Sequence, residues 1–167
     1  MGTAGILFGL VALLYCLFCF IGSAYVIKKY DGFRIFYDNL NKMFKYQGRV
    51  TGIEYASFVL LMTSISVLFE IVLSILGNVP FIISFIVSLL FALSMISVTT
   101  RRLHDLGYSG WLQIPMIIIE LYSDFSNLTE ENTIGLIFLF LILIGFQLFL
   151  MFKKGQQADN QYGKVIK

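Results

Sequence analysis

Residues 133–152 read TIGLIFLFLILIGFQLFLMF, twenty consecutive positions without a charged side chain. A helix rises about 1.5 Å per residue, so twenty residues reach about 30 Å, the depth of a bilayer's hydrocarbon. A helix on the surface of a soluble bundle keeps a polar stripe, and this one has none. Lipid is the solvent such a segment fits.

Working back along the chain, the same reading recurs. Thr3 to Ile27 is free of charge, and Lys28-Lys29 follows directly. A signal peptide fits poorly here. No basic residue precedes the run, and it exceeds the usual ~7–15 apolar residues, although Gly22-Ser23-Ala24 resembles a cleavage site. Tyr55 to Leu76 is apolar except for Glu70, and Gly77-Asn78-Val79-Pro80 then makes a tight turn. Val79 to Thr100 carries no charge. Trp111 to Ile119 is a shorter apolar run that meets Glu120 and Asp124. Pro80 and Pro115 fall in first helical turns, where proline is tolerated.

Composition agrees. The 167-residue chain is 58% hydrophobic and 13% charged, against about 25% charged residues in ordinary soluble domains. A small soluble domain has too much surface for its volume to hide so much apolar area. A net charge of +2, with no run of five basic residues, argues against nucleic acid as a partner. Two cysteines and one histidine exclude a disulfide scaffold and any multi-histidine or four-cysteine metal site, and no cofactor is expected.

The expected fold is therefore all-α, a polytopic bundle of five transmembrane helices. Its parts are an N-terminal membrane helix (1–30), a basic segment (31–54), a four-helix membrane domain (55–152) and a tail (153–167). The connection from Lys28 to Glu54 holds six basic residues, Arg101 and Arg102 follow the third span, and the tail holds four. These are all twelve of the chain. Five crossings put every one of them on a single face, which the positive-inside rule makes cytoplasmic. The amino terminus is then outside, the carboxyl terminus is inside, and the expected location is the plasma membrane. Without the fourth crossing, Arg101-Arg102 and the tail would lie on opposite sides.

Small residues at Gly2, Gly5, Gly9, Ala12, Cys16, Cys19 and Ser23 form one stripe down the first helix. Helices in lipid associate where small residues let backbones approach. The stripe is expected to pack on the other helices or on a second copy, giving a homo-oligomer. Cys16-x-x-Cys19 belongs to this stripe, and a thiolate within lipid would be costly, so packing outweighs redox or metal chemistry. Glu70 and Glu120 are the acidic residues within spans. An acid at mid-bilayer costs roughly 2.5–3.5 kcal/mol. An ion path is the sharper reading, and placement near the outer interface the plainer one.

The densest polar segment is Arg101-Arg102-Leu103-His104-Asp105-Leu106-Gly107-Tyr108-Ser109-Gly110-Trp111. Arg101 and Asp105 stand four apart, within ion-pair reach on a helix. Ser109 or Gly110 is placed to cap the next helix, and Trp111 to sit among headgroups. This segment resembles the signature of the bacterial inner-membrane family called domain of unknown function 805, roughly R-R-L-H-D-x-x-R/Y-S-G-W. Phe44-Lys45-Tyr46-Gln47-Gly48-Arg49 with Glu54-Tyr55 resembles that family's opening motif, and Asp159-Asn160-Gln161-Tyr162-Gly163 its closing one. The resemblance covers about residues 43–165. Ala56 replaces the usual Trp, the usual Pro after Gly163 is missing, and the first helix lies outside the family core. The resemblance implies a four-span membrane domain and no reaction.

All three motifs fall on the basic face. Arg49, Glu54, Arg101, Arg102, His104, Asp105, Asn160 and Tyr162 are therefore expected to meet in one cluster. It would clasp helix ends, or hold an anionic lipid headgroup or phosphorylated ligand through Arg101 and Arg102. Catalysis would need His104 as a base and a nucleophile such as Ser109, but adjacent His104 and Asp105 point apart on a helix. Two function classes follow. One is a non-enzymatic scaffold or regulator that binds anionic lipid or a partner; the other is a small oligomeric transporter or channel using Glu70 and Glu120. Transport pathways usually carry several paired ionisable residues and broken helices, which favours the first. Asn127-Leu128-Thr129 fits a glycosylation sequon, which the resemblance to a bacterial family implies is idle.

Overall fold

The computed structural model describes residues 3–77, 80–125 and 130–166. Every named element among them is helical: α1 Thr3–Tyr30, α2 Gly32–Leu40, α3 Gly52–Leu76, α4 Phe81–Asp105, α5 Ile114–Phe125 and α6 Glu130–Phe152, with a 3-10 turn at Gly110–Gln113 before α5. Helices α1, α3, α4 and α6 are each long and apolar enough to cross a membrane. The segment from the 3-10 turn through α5 is shorter. At helical rises it reaches about 26 Å, a little under the hydrocarbon depth.

Local chemistry fixes the boundaries. Thr51 and Glu54 form a capping box, each side chain taking the other's backbone N–H, and this starts α3. Asp31, in the left-handed conformation at φ 54°, breaks α1 from α2. Helix α4 continues five residues beyond the uncharged run and includes Arg101 to Asp105. It stops where Gly107 adopts φ 83°, with the Tyr108 N–H returning to the Leu103 carbonyl at 2.9 Å. Helix α2 lies inside the basic segment that was expected to be a connection. Its nine residues are short but amphipathic, with Phe33, Phe36, Tyr37 and Leu40 at helical spacing; Phe36 stacks on Phe58 of α3 at 5.3 Å and anchors it.

Helix directions follow from contacts. Phe8 meets Phe140 at 5.8 Å, and the Tyr15 hydroxyl donates to Gln147, so α1 and α6 run parallel. The Val50 N–H before α3 bonds the Arg101 carbonyl near the end of α4, while Phe69 meets Phe91, so α3 and α4 are antiparallel. Arg102 reaches the carbonyl of Leu150 near the end of α6. The ends of α4 and α6 thus share the end of the bundle where α3 begins. The chain leaves α4 at that end and enters α6 at the other, and α5 occupies the interval.

The core is concentrated toward the same end. Tyr55, Phe58, Val59, Val98, Leu103 and Leu150 are almost wholly buried, whereas Ile75, Leu76, Ile82, Phe85, Ile134 and Phe138 are exposed. The small-residue stripe divides along α1. Cys19 and Ser23 are buried and Cys16 is half-buried, with the Ser23 hydroxyl 3.0 Å from that of Ser64 on α3. A Cβ at Gly9 would meet open space, and Gly5 and Ala12 are partly exposed. The lower stripe packs within the chain. Gly2, the Asn78-Val79 part of the turn and the sequon at 127–129 lie outside the described residues.

Candidate functional site

Where α3 begins and α4 and α6 end, three segments come together. Asp105, in the last turn of α4, faces two guanidinium groups. Arg49 donates from Nε to Oδ1 at 3.0 Å, with Nη2 2.9 Å from the same oxygen, and Arg102 donates from Nη1 to Oδ2. Both side chains of the Arg49–Asp105 pair are at most 6% exposed. A charge taken from water is tolerated only when its remaining donors and lone pairs are filled. Here they are filled. Arg49 also donates to the carbonyls of Ala158 at 2.9 Å and Gln156 at 2.5 Å. Arg102 donates to the carbonyls of Leu150 at 2.7 Å, of Val50 at 3.4 Å and of Lys153. Those of Leu150 and Lys153 lie where α6 ends, and a helix's last carbonyls lack intrahelical partners.

The tail returns across this knot. The Gln156 N–H bonds the Asp105 carbonyl at 2.9 Å, and Asn160 donates from Nδ2 to the His104 carbonyl at 2.9 Å. Tyr162 lies flat on the His104 ring, with centroids 3.8 Å apart and planes within 3°. The His104 Nδ1 stands 3.2 Å from the Gly48 carbonyl. A carbonyl only accepts, so Nδ1 carries the proton.

Of the eight residues expected to meet, six form this knot: Arg49, Arg102, His104, Asp105, Asn160 and Tyr162. Glu54 sits beside it with its Oε2 engaged by the Thr51 N–H and hydroxyl. Arg101 is 4% exposed, and its Nε and Nη2 have no hydrogen-bond partner among the described residues. One expectation needs correction. The partner of Asp105 on its own helix is Arg102, three residues back, not Arg101. The spacings i,i+3 and i,i+4 are both open on a helix, and only the Arg102 side faces the end of α6. Each of the three Arg102 nitrogens donates within the knot, whereas Arg101 keeps two unpaired donors among the described residues.

Reading the sequence alone missed Gly155, Gln156 and Thr51. A Cβ at Gly155 would fall 2.0 Å from Asp105 Oδ2, so only glycine lets the tail pass the carboxylate. The one signal was a glycine just after a helix end. Ser109 acts as a cap, its Oγ accepting the Trp111 N–H at 3.4 Å, and Trp111 is exposed. Glu70 and Glu120 lie on exposed faces of α3 and α5. Among the described residues no three His, Cys, Asp or Glu side chains gather closely enough to hold a metal ion.

These features define an all-helical protein with four membrane-length helices, consistent with an integral membrane protein and knotted at one end by a buried arginine–aspartate network. The chain belongs to the family described as protein of unknown function (DUF805), whose profile matches residues 43–164. That range holds every member of the knot and leaves out α1 and α2. No curated protein and no solved structure matches the chain.

Proposed function

We propose that the protein is a five-crossing, non-enzymatic integral protein of the bacterial plasma membrane, a scaffold or regulator whose basic cytoplasmic face binds anionic lipid. The observation that carries this is the convergence of helix ends. Helices α1, α4 and α6 run the same way, and α3 runs opposite to them. A chain that leaves α4 at one end and enters α6 at the other has to cross in between. The 3-10 turn and α5 are the segment available, and their slight shortness is within what local thinning of a bilayer accommodates. Five crossings gather all twelve basic residues of the sequence on the knot's side, and that side is cytoplasmic by the positive-inside rule. The amino terminus is then external and the carboxyl terminus internal.

The knot itself works as a clasp. Its carboxylate and two of its guanidinium groups are consumed internally, so binding falls to the other cations of the face. The open upper stripe of α1 at Gly5 and Gly9 leaves room for a second copy.

Reporter enzymes fused after Lys167 and inserted at residues 126–129 test the topology. The first should report a cytoplasmic location and the second an external one; both on one side would remove the fifth crossing. Native mass spectrometry of wild type should show phosphatidylglycerol retained over diacylglycerol. Equal retention of the two would remove anionic-lipid binding.

A further inference from the structure

We infer that Arg101 is a binding site for a phosphate oxyanion, carried by a lipid headgroup or free in solution. The inference rests on the reading of the basic face given above and names the residue that does the binding.

Arg101 differs from Arg49 and Arg102 in one respect. Their donors end on carboxylate and carbonyl oxygens, whereas its Nε and Nη2 end on nothing among the described residues, although the residue is only 4% exposed. Nε and Nη2 are the two donors along one edge of the guanidinium plane, and their N–H bonds point the same way. That edge matches two oxygens of a single phosphate. A buried donor left unpaired costs about 1–3 kcal/mol, more when charged, so this covered, unpaired edge is one that a ligand's oxygens would satisfy.

The charges agree. Three guanidinium groups, on Arg49, Arg101 and Arg102, stand against two carboxylates, on Glu54 and Asp105. Asp105 is taken by the other two arginines. Glu54 lies near enough to act on Arg101 through its charge, but forms no ion pair with it among the described residues, and its Oε2 serves the α3 cap. One positive charge is left over in the cluster as a whole, three guanidinium groups against two carboxylates. A phosphodiester carries the single negative charge that balances it.

Placement favours phosphate. Arg101 follows Ser97 by one helical turn, and the Ser97 hydroxyl bonds the carbonyls of Lys42 at 3.0 Å and Lys45 at 2.9 Å. The connection before α3 therefore runs along this face of α4. The membrane-length part of α4 ends at Asp105, which sets Arg101 in its final turns, where a span meets headgroups.

The test uses the full chain purified in detergent, offered phosphatidylglycerol, diacylglycerol or inorganic phosphate. Bound lipid is read by native mass spectrometry and bound phosphate by ³¹P NMR. Wild type should retain a phosphate-bearing probe over diacylglycerol, and Arg101→Gln should lose about tenfold of that affinity, the equivalent of one charge-assisted pair. Phe138→Ala, exposed at the opposite end of the bundle, should bind as wild type does. Retention of phosphatidylglycerol alone identifies a headgroup; response to inorganic phosphate identifies a free anion. If Arg101→Gln does not fold, Arg101→Lys keeps the charge but not the paired donors and should show the same loss. Undiminished binding in a folded Arg101 variant overturns this site and leaves anionic-lipid binding standing. Wild type that does not separate either phosphate probe from diacylglycerol overturns both.

Discussion

The two ends of the bundle are built on different principles. At the basic end the helices are tied by a buried ion network, by carbonyls borrowed from α6 and by a tail that folds back over them. At the other end Ile75, Leu76, Ile82 and Phe138 face outward with little between them. In lipid, apolar side chains gain nothing by leaving lipid for one another, so association depends on polar links and close backbone approach. At the basic end those links are the buried ion network and the returning tail. The difference teaches that apolar length makes these helices membrane segments, while about ten polar groups decide how they are arranged.

That contrast can be broken most severely at Asp105. Asp105→Ala leaves Arg49 and Arg102 buried against each other without a counter-charge, and removing one partner of a buried pair costs about 3–5 kcal/mol. The expected outcome is loss of the monodisperse species in size-exclusion chromatography. Gly155→Ala is next. Its Cβ would press on Asp105 Oδ2, and overpacking of this kind costs about 1–3 kcal/mol, read as a lowered thermal midpoint. Tyr162→Ala removes the stack on His104 and should cost about 0.5–1.5 kcal/mol, seen as faster proteolysis of the tail. Ser23→Ala removes the hydroxyl pair with Ser64, and interhelical hydrogen bonds in membranes average about 0.6 kcal/mol, measurable by detergent-induced unfolding. Phe138→Ala, at the other end, should leave stability nearly unchanged in the same assay. A large loss there would mean that the two ends are built alike.

The sequence announced the membrane segments because uncharged length is a one-dimensional property. Twenty apolar residues at 133–152 need no partner to be recognised. It also gathered the site, since charged and amide groups at helix ends on one face have few places to go. What it could not supply was pairing. Arg101 and Arg102 are adjacent and chemically alike, yet one is saturated and the other is not, because the end of α6 lies beside only one of them. The role of Gly155 was equally hidden, since it depends on a carboxylate fifty residues earlier. Helix α2 does carry a periodic signal, with Phe33, Phe36, Tyr37 and Leu40 at i, i+3, i+4 and i+7. It is only nine residues long, however, and lies among the basic residues of the connection; Phe36 on Phe58 seats it.

The tail's place in the knot has a consequence for biosynthesis. Arg49, Arg102 and Asp105 emerge from the ribosome long before Leu150, Lys153, Gln156 and Ala158, whose carbonyls complete the two guanidinium shells. Until those residues arrive, both guanidinium groups lack the carbonyl partners that complete them, so this end of the bundle closes only when the last residues of the chain are in place.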